Sequence, residues 1–227
     1  MGDKEVVGFA GLGNMGTSMA TNLLDFLCKA SPEDPFEPKL HVYNRTQSKA
    51  DKLVSQGALL APSVADLASN CTIIFSMLLN DEAVGLLVSA GNPAARTRVK
   101  PLLEAIGQGI LDCGDDARAG SAMKLVGNFF ISSWIELAAE GMTLGEKNGV
   151  ARETVLDFIT KLFPGFITTG YAKALVTDKF LPTAEDPGFN LLGGMKDAGH
   201  MQRLGRESGA PLPVTDVVLQ HMQQAHL

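Results

Sequence analysis

Lys124 and Asn128 stand four residues apart in the segment Gly120-Ser121-Ala122-Met123-Lys124-Leu125-Val126-Gly127-Asn128. On a helix that spacing puts both side chains on one face, where they can converge on a single ligand. A lysine held there can give a proton to a carbonyl oxygen and, in the reverse direction, withdraw one from a hydroxyl. Asn128 can orient that lysine or bind a substrate hydroxyl. The plainer reading is a surface lysine beside a polar residue in a packed helix, so the pair gains meaning only from the rest of the chain.

Three glycines spaced Gly11-x-Gly13-x-x-Gly16 follow directly on the apolar run Val6-Val7-Gly8-Phe9-Ala10. Such a run is a short strand, and Met15, Met19, Leu23, Leu24 and Leu27 after it line one face of a helix. In a strand-turn-helix each glycine removes a Cβ where backbone, pyrophosphate or strand must come close. Gly11, Leu12, Gly13, Asn14, Met15 and Gly16 are therefore candidate cofactor-binding residues for a dinucleotide. The spacing alone is weak in a chain with 24 glycines; its context makes it informative. A nicotinamide beside Lys124 would make the proton transfer the partner of a hydride transfer.

The next strand, Leu40-His41-Val42-Tyr43, ends in Asn44-Arg45-Thr46. A carboxylate here would bind the adenine ribose hydroxyls and repel a 2′-phosphate. None is present, whereas Arg45 offers a planar charged donor fork and Thr46 a hydroxyl. Asn44, Arg45 and Thr46 thus favour NADP, with NAD as the alternative. Asn44 and Thr46 could also cap a helix from Gln47. The polar stretch Ala30 to Lys39 reads as a surface loop that lengthens this unit.

Further along, helix Lys49 to Gln56, strand Ala58 to Leu60, a helix capped by Ser63, and strand Cys71 to Leu78 alternate in the manner of an open parallel sheet. Ligands bind such sheets beyond the carboxyl ends of the strands, so Met77, Leu78 and Leu79 either border the cofactor or belong to the core. The segment from Gly85 to Ala90 follows too soon for a parallel crossover, which needs a dozen or more residues. Either Asn80 caps a helix from Asp81 to Val88, or Leu86 to Ala90 is a strand antiparallel to, or distant from, its predecessor. Helix Pro93 to Ile106 and strand Gly109 to Cys113 follow. From Ala119 the pattern turns helical, with a long, largely buried helix from Ser121 to Lys147 stopped by Gly149, then helices at Arg152 to Leu162, Gly170 to Thr177, Asn190 to Ser208 and Pro213 to Gln224.

The fold expected is α/β, a Rossmann-type mostly parallel sheet lacking some strands, followed by an all-helical C-terminal domain. The boundaries expected are 1–118 for the nucleotide-binding domain and 119–227 for a helical substrate and dimerisation domain. With 45% hydrophobic residues in 227 and a net charge of −6, the chain can fill a core and carries no basic footprint for nucleic acid. No apolar stretch reaches the ~20 residues of a membrane span. Cys28, Cys71 and Cys113 lack any metal-ligand spacing and read as reduced core residues of a cytoplasmic protein. No metal site is expected. The ending Ala225-His226-Leu227 is a loose match to a peroxisomal address.

Taken together, Gly8 to Gly16, Asn44-Arg45-Thr46, Gly120 to Asn128, Phe189 and Met195-Lys196-Asp197 resemble, in order, the motifs of the β-hydroxyacid dehydrogenase family, which includes 3-hydroxyisobutyrate dehydrogenase and the glyoxylate/succinic semialdehyde reductases. The resemblance implies an NAD(P)-dependent dehydrogenase or reductase acting on a short 3-hydroxyacid or semialdehyde, assembled as a homo-oligomer through the helical domain. It implies that Lys124 is the catalytic acid/base, that Asn128, Gly120 and Ser121 lie on the substrate side, that Lys196 lies near the cofactor, and that Asp197 supports that lysine. It also shows a departure. Family members carry two further strands between the positions matching Leu78 and Leu87, the second ending in a loop that supplies donors to the substrate carboxylate. Nothing here matches them, which keeps a second expectation open: a catalytically impaired dinucleotide-binding or assembly protein.

Overall fold

The computed structural model describes residues 4–77, 86–107, 109–181, 183 and 191–226. The chain divides into two compact units, Met1–Gly120 and Ser121–Leu227.

The first unit is built on β1 (Glu5–Ala10), followed by α1 (Asn14–Leu27), β2 (Phe36–Tyr43), a 3-10 turn at Gln47–Ala50 leading into α2 (Asp51–Ser55), β3 (Leu59–Leu60), α3 (Val64–Asn70) and β4 (Ile73–Ser76). These strands form a parallel sheet in the order β3-β2-β1-β4. Alternation along β1 sends Val7 and Phe9 into the main core with Leu23, Leu24 and Leu27 of α1. Ala10, on the opposite face, packs with Ala61 and Leu67. A strand covered on both sides in this way is the reason its sequence reads as one apolar run.

Strand β2 begins four residues earlier than the sequence pattern suggests. Phe36 is buried in the core, edge-on to Phe26 at a ring separation of 6.3 Å, and pairs in register with Glu5. The expected surface loop therefore ends before Phe36. Pro38 and Lys39 obscured this, because a proline inside a strand argues against the assignment. The expected helix Lys49 to Gln56 is in fact the 3-10 turn plus the short α2. Ser63 does cap α3, its hydroxyl accepting from the Asp66 N–H at 3.0 Å.

A second, two-stranded parallel sheet joins β5 (Leu86–Ser89) to β6 (Gly109–Asp112) through α4 (Pro93–Ile106). Of the two readings of this region, the strand is the one observed, and β5 pairs with β6 rather than with β4. Helix α4 packs against α1 and contributes Leu102 to the main core. Arg96 of α4 secures the far side. Its guanidinium bonds Asp112 and Asp115 and donates from Nε to the Gly91 carbonyl at 2.9 Å. A backbone bond from Gly114 and the Arg96 guanidinium hold the Asp112 carboxyl below its ordinary value.

Helix α5 (Ala117–Lys147) starts four residues before the expected Ser121 and carries the chain into the second unit, which continues with α6 (Arg152–Leu162), α7 (Phe166–Val176), α8 (Leu191–Glu207) and α9 (Pro213–His226). Ala138 and Met142 of α5 meet Ile159 of α6 and Ala172 of α7 in a small core. Trp134 completes it, with its indole N–H donating to the Thr168 carbonyl at 3.1 Å and its ring edge-on to Phe163. The expectation that α5 is largely buried does not hold, since Phe130 and Leu137 are exposed. The reading of the three cysteines as core residues holds in part: Cys71 packs half-buried against the cluster of Ala10, Ala61 and Leu67, Cys113 is half-buried and Cys28 is exposed. Among the described residues no helix is long and apolar enough to cross a membrane.

Candidate functional site

The first cluster sits where β1 turns into α1. Gly11 has φ +98°, a conformation that L side chains rarely adopt. A Cβ on Gly16 would lie 2.0 Å from the Gly11 carbonyl oxygen, so this turn closes only with glycine there. Gly13 stands at the N-cap of α1 in extended conformation, and among the described residues no side chain caps the helix. The first-turn N–H groups of Asn14, Met15 and Gly16, at the positive end of the helix dipole, form the kind of site that receives an anion. A pyrophosphate fits this cradle. Gly16→Ala should force the turn open, costing ~1–3 kcal/mol of stability; a denaturant midpoint equal to that of the parent would contradict this.

The loop is tied to the end of β2. Gly11 N–H donates to the Tyr43 carbonyl at 2.9 Å, and Leu12 N–H donates to Asn44 Oδ1 at 2.8 Å. The other end of the same amide, Asn44 Nδ2, donates to the Thr46 carbonyl at 2.8 Å. Asn44 is thus a brace between the two halves of the nucleotide motif, and neither it nor Thr46 caps the 3-10 turn through its side chain. The expected capping role is corrected accordingly. Arg45 is exposed at the next position, with no hydrogen bond or ion pair among the described residues. Met77, whose N–H bonds the Ala10 carbonyl at 2.9 Å, packs on the main core from the end of β4. Leu78, Leu79 and Phe189 lie outside the described residues.

The second cluster belongs to the helical unit. Asp197 of α8 is buried, and its Oδ2 accepts from Lys124 Nζ at 3.0 Å and from Asn128 Nδ2 at 2.9 Å. Lys196 Nζ lies 3.2 Å from Oδ1. The i, i+4 pair on α5 does converge on one acceptor, and that acceptor is a side chain of the protein. Burial pushes the Asp197 carboxyl up, but hydrogen bonds and charge from Lys124 and then Lys196 outweigh it and hold the group below its ordinary value. Asn128 and Lys124 are both held by the same carboxylate oxygen. Ser121 is exposed, and Gly120 packs so closely on Ala90 that a Cβ would lie 3.2 Å from the alanine methyl.

The lowered Asp197 value links this cluster to stability. The folded chain binds the Asp197 proton less readily than the unfolded chain, so acid favours unfolding. Its contribution is fully present above the unfolded carboxylate value of about 3.9 and is lost as pH falls through the lowered native value. Acid unfolding of the parent should therefore be steeper than that of Asp197→Asn, in which the protonated form is mimicked throughout. Parallel curves for melting temperature against pH would show that the ion pairs contribute nothing.

Residues 6–90 match the family model described as the NAD binding domain of 6-phosphogluconate dehydrogenase. Residues 119–227 match that described as the NAD-binding of NADP-dependent 3-hydroxyisobutyrate dehydrogenase. The chain belongs to the β-hydroxyacid dehydrogenase family. This places it among the NAD(P)-dependent oxidoreductases that act on CH–OH groups. It is similar to the uncharacterized oxidoreductase YfjR of Bacillus subtilis, 25% identical with 94% of this chain and 91% of the relative covered. Glyoxylate/succinic semialdehyde reductase 1 of Arabidopsis thaliana is 24% identical over 92% of this chain and 88% of its own. A crystal structure of 3-hydroxyisobutyrate dehydrogenase from Salmonella typhimurium shares the fold, with a TM-score of 0.75 at 18% identity, covering 98% of this chain and 94% of that one.

The alignment with the Bacillus family member runs over 274 positions, more than the 227 residues of this chain. The relative thus has internal residues with no counterpart here, in keeping with the short link between β4 and β5. Two features of this structure escaped the sequence reading. The double role of the Asn44 amide could have been suspected from its place at the end of β2. The anchoring of β6 by Arg96 had no sequence signal beyond opposite charges far apart in the chain.

Proposed function

We propose that the chain is an NADP-dependent dehydrogenase or reductase that interconverts a short 3-hydroxyacid and its semialdehyde, with Lys124 as general acid/base. The observation that carries this reading is the convergence of Lys124 and Asn128 on the buried Asp197 carboxylate. An amine held by a carboxylate is fixed in direction, which suits it to exchange a proton with a carbonyl or hydroxyl oxygen. A bound nicotinamide would supply or accept the hydride. In reduction, Lys124 protonates the oxygen as the carbonyl carbon becomes C–H; in oxidation, it takes the hydroxyl proton back. Asn128 and Lys196 keep Asp197 oriented, while Gly120 and Ser121 at the head of the same helix border the substrate. Gly11 to Gly16 hold the pyrophosphate, Arg45 and Thr46 receive the 2′-phosphate, and Met77 and Leu78 border the nucleotide.

We divide the chain at 118/119 into nucleotide-binding and helical substrate domains and place it in the cytoplasm. The helical part is proposed to form a homo-oligomer, consistent with exposed Phe130, Phe158 and Phe166. The deciding experiment is a turnover screen of the purified chain with NADPH against short semialdehydes, followed by nicotinamide absorbance. Turnover of at least one carboxylated aldehyde supports the reading; nucleotide binding without turnover of any would overturn it.

One observation favours a second reading. β4 and β5 lie in separate sheets, and only nine residues separate them in the chain, fewer than the family's two further strands and their carboxylate-binding loop need. A chain that binds nucleotide but lacks that anion site would be a catalytically impaired binding or assembly protein, which the same screen distinguishes.

A further inference from the structure

A third cluster of chemistry-bearing side chains lies apart from Lys124 and Asp197 within the helical unit. Glu136 and Glu140 are one turn apart on α5, and His221 reaches them from α9. One ligand atom from each lies within 4.8 Å of the other two. His221 Nδ1 is 2.5 Å from Glu136 Oε1. The Glu136 side chain is only 17% exposed and forms part of the wall of an apolar groove with Ile135, Leu191, Val218 and Met222.

We propose that Glu136, Glu140 and His221 form a binding site for a divalent transition-metal ion that clips α9 to α5. Two carboxylates at i, i+4 repel one another, and an ion held by both would relieve that repulsion. A dication would cancel both carboxylate charges and be held between His221 Nδ1 and Glu136 Oε1, which face one another. An imidazole nitrogen with two carboxylates suits zinc and its neighbours, whereas magnesium and calcium take oxygen donors alone. Zinc bonds of about 2.1 Å set donors farther apart than the 2.5 Å between His221 Nδ1 and Glu136 Oε1, so binding requires these two side chains to part around the ion. No part of the proposed reaction passes through this site.

The test is equilibrium dialysis of the untagged chain against zinc chloride, with cobalt(II) as a spectroscopic probe. One ion should bind per chain, saturably, with a cobalt spectrum free of thiolate charge-transfer absorption. Binding should weaken at least tenfold in Glu140→Gln and in His221→Gln. Because an ion that binds only the folded state stabilises it, zinc should raise the melting temperature of the parent and leave that of His221→Gln unchanged. Absence of saturable binding, binding that survives both substitutions, or a thiolate band placing the ion on cysteine would each overturn the proposal.

Discussion

Lys124→Ala should lower turnover by about a hundred- to ten-thousandfold, the range over which a positioned proton donor contributes, while NADPH affinity stays within about twofold of the parent, a change worth only ~0.4 kcal/mol. The expected separation follows from the geometry. Lys124 and Lys196 approach different oxygens of Asp197, and Asn128 Nδ2 also donates to the oxygen that Lys124 uses. When Lys124 is removed, the buried carboxylate keeps two partners and the helical unit should remain folded. A conservative Lys124→Arg change should not restore the rate, because a guanidinium holds its proton too firmly to deliver it at neutral pH. Equal turnover in the alanine variant and the parent would remove Lys124 from the proposed chemistry. Lost turnover together with lost folding, by circular dichroism, would reduce the cluster to a structural ion pair.

Arg45→Ala should weaken NADPH by about ten- to a hundredfold and leave NADH nearly unchanged. The magnitude is that of one or two charge-assisted hydrogen bonds, ~1.5–3 kcal/mol. Specificity is expected to rest on this residue because Asn44, its neighbour, is already committed at both ends of its amide to Leu12 and Thr46. Asn44 fixes the backbone from which Arg45 projects, and beyond its bond to Thr46 its amide keeps one neutral N–H, a weaker partner for a phosphate than a guanidinium. The contrasting substitution Asn44→Ala should therefore weaken both nucleotides alike, since it loosens the loop that both would use. An unchanged NADPH/NADH ratio in Arg45→Ala would refute the 2′-phosphate assignment.

Much of the nucleotide-binding half was legible because its signals are local. The glycine spacing, the apolar run before it and the face of α1 lie within one strand-turn-helix unit, and Ser63 caps α3 as its sequence suggests. Readings failed where tertiary packing overrides local signals. Phe36 draws a proline-bearing segment into β2, and the cysteines were assigned to the core by residue type although their elements place Cys28 in solvent. The end point of the Lys124 and Asn128 pair also lay beyond the sequence. Helical spacing predicts convergence, but Asp197 is 73 residues from Lys124, and only the packing of α8 on α5 makes it the shared acceptor. The cluster of Glu136, Glu140 and His221 was invisible for the same reason, since α9 supplies the imidazole.

The most direct test is calorimetric titration of the purified chain with NADPH and, separately, with NADH. Saturable binding of one NADPH per chain, with NADH at least tenfold weaker, is the expected result. It would show that the braced glycine turn and Arg45 form a working site despite the short link between β4 and β5. Failure of both nucleotides to bind would contradict the account, because the cradle at Gly11 to Gly16 would then be a turn without a ligand.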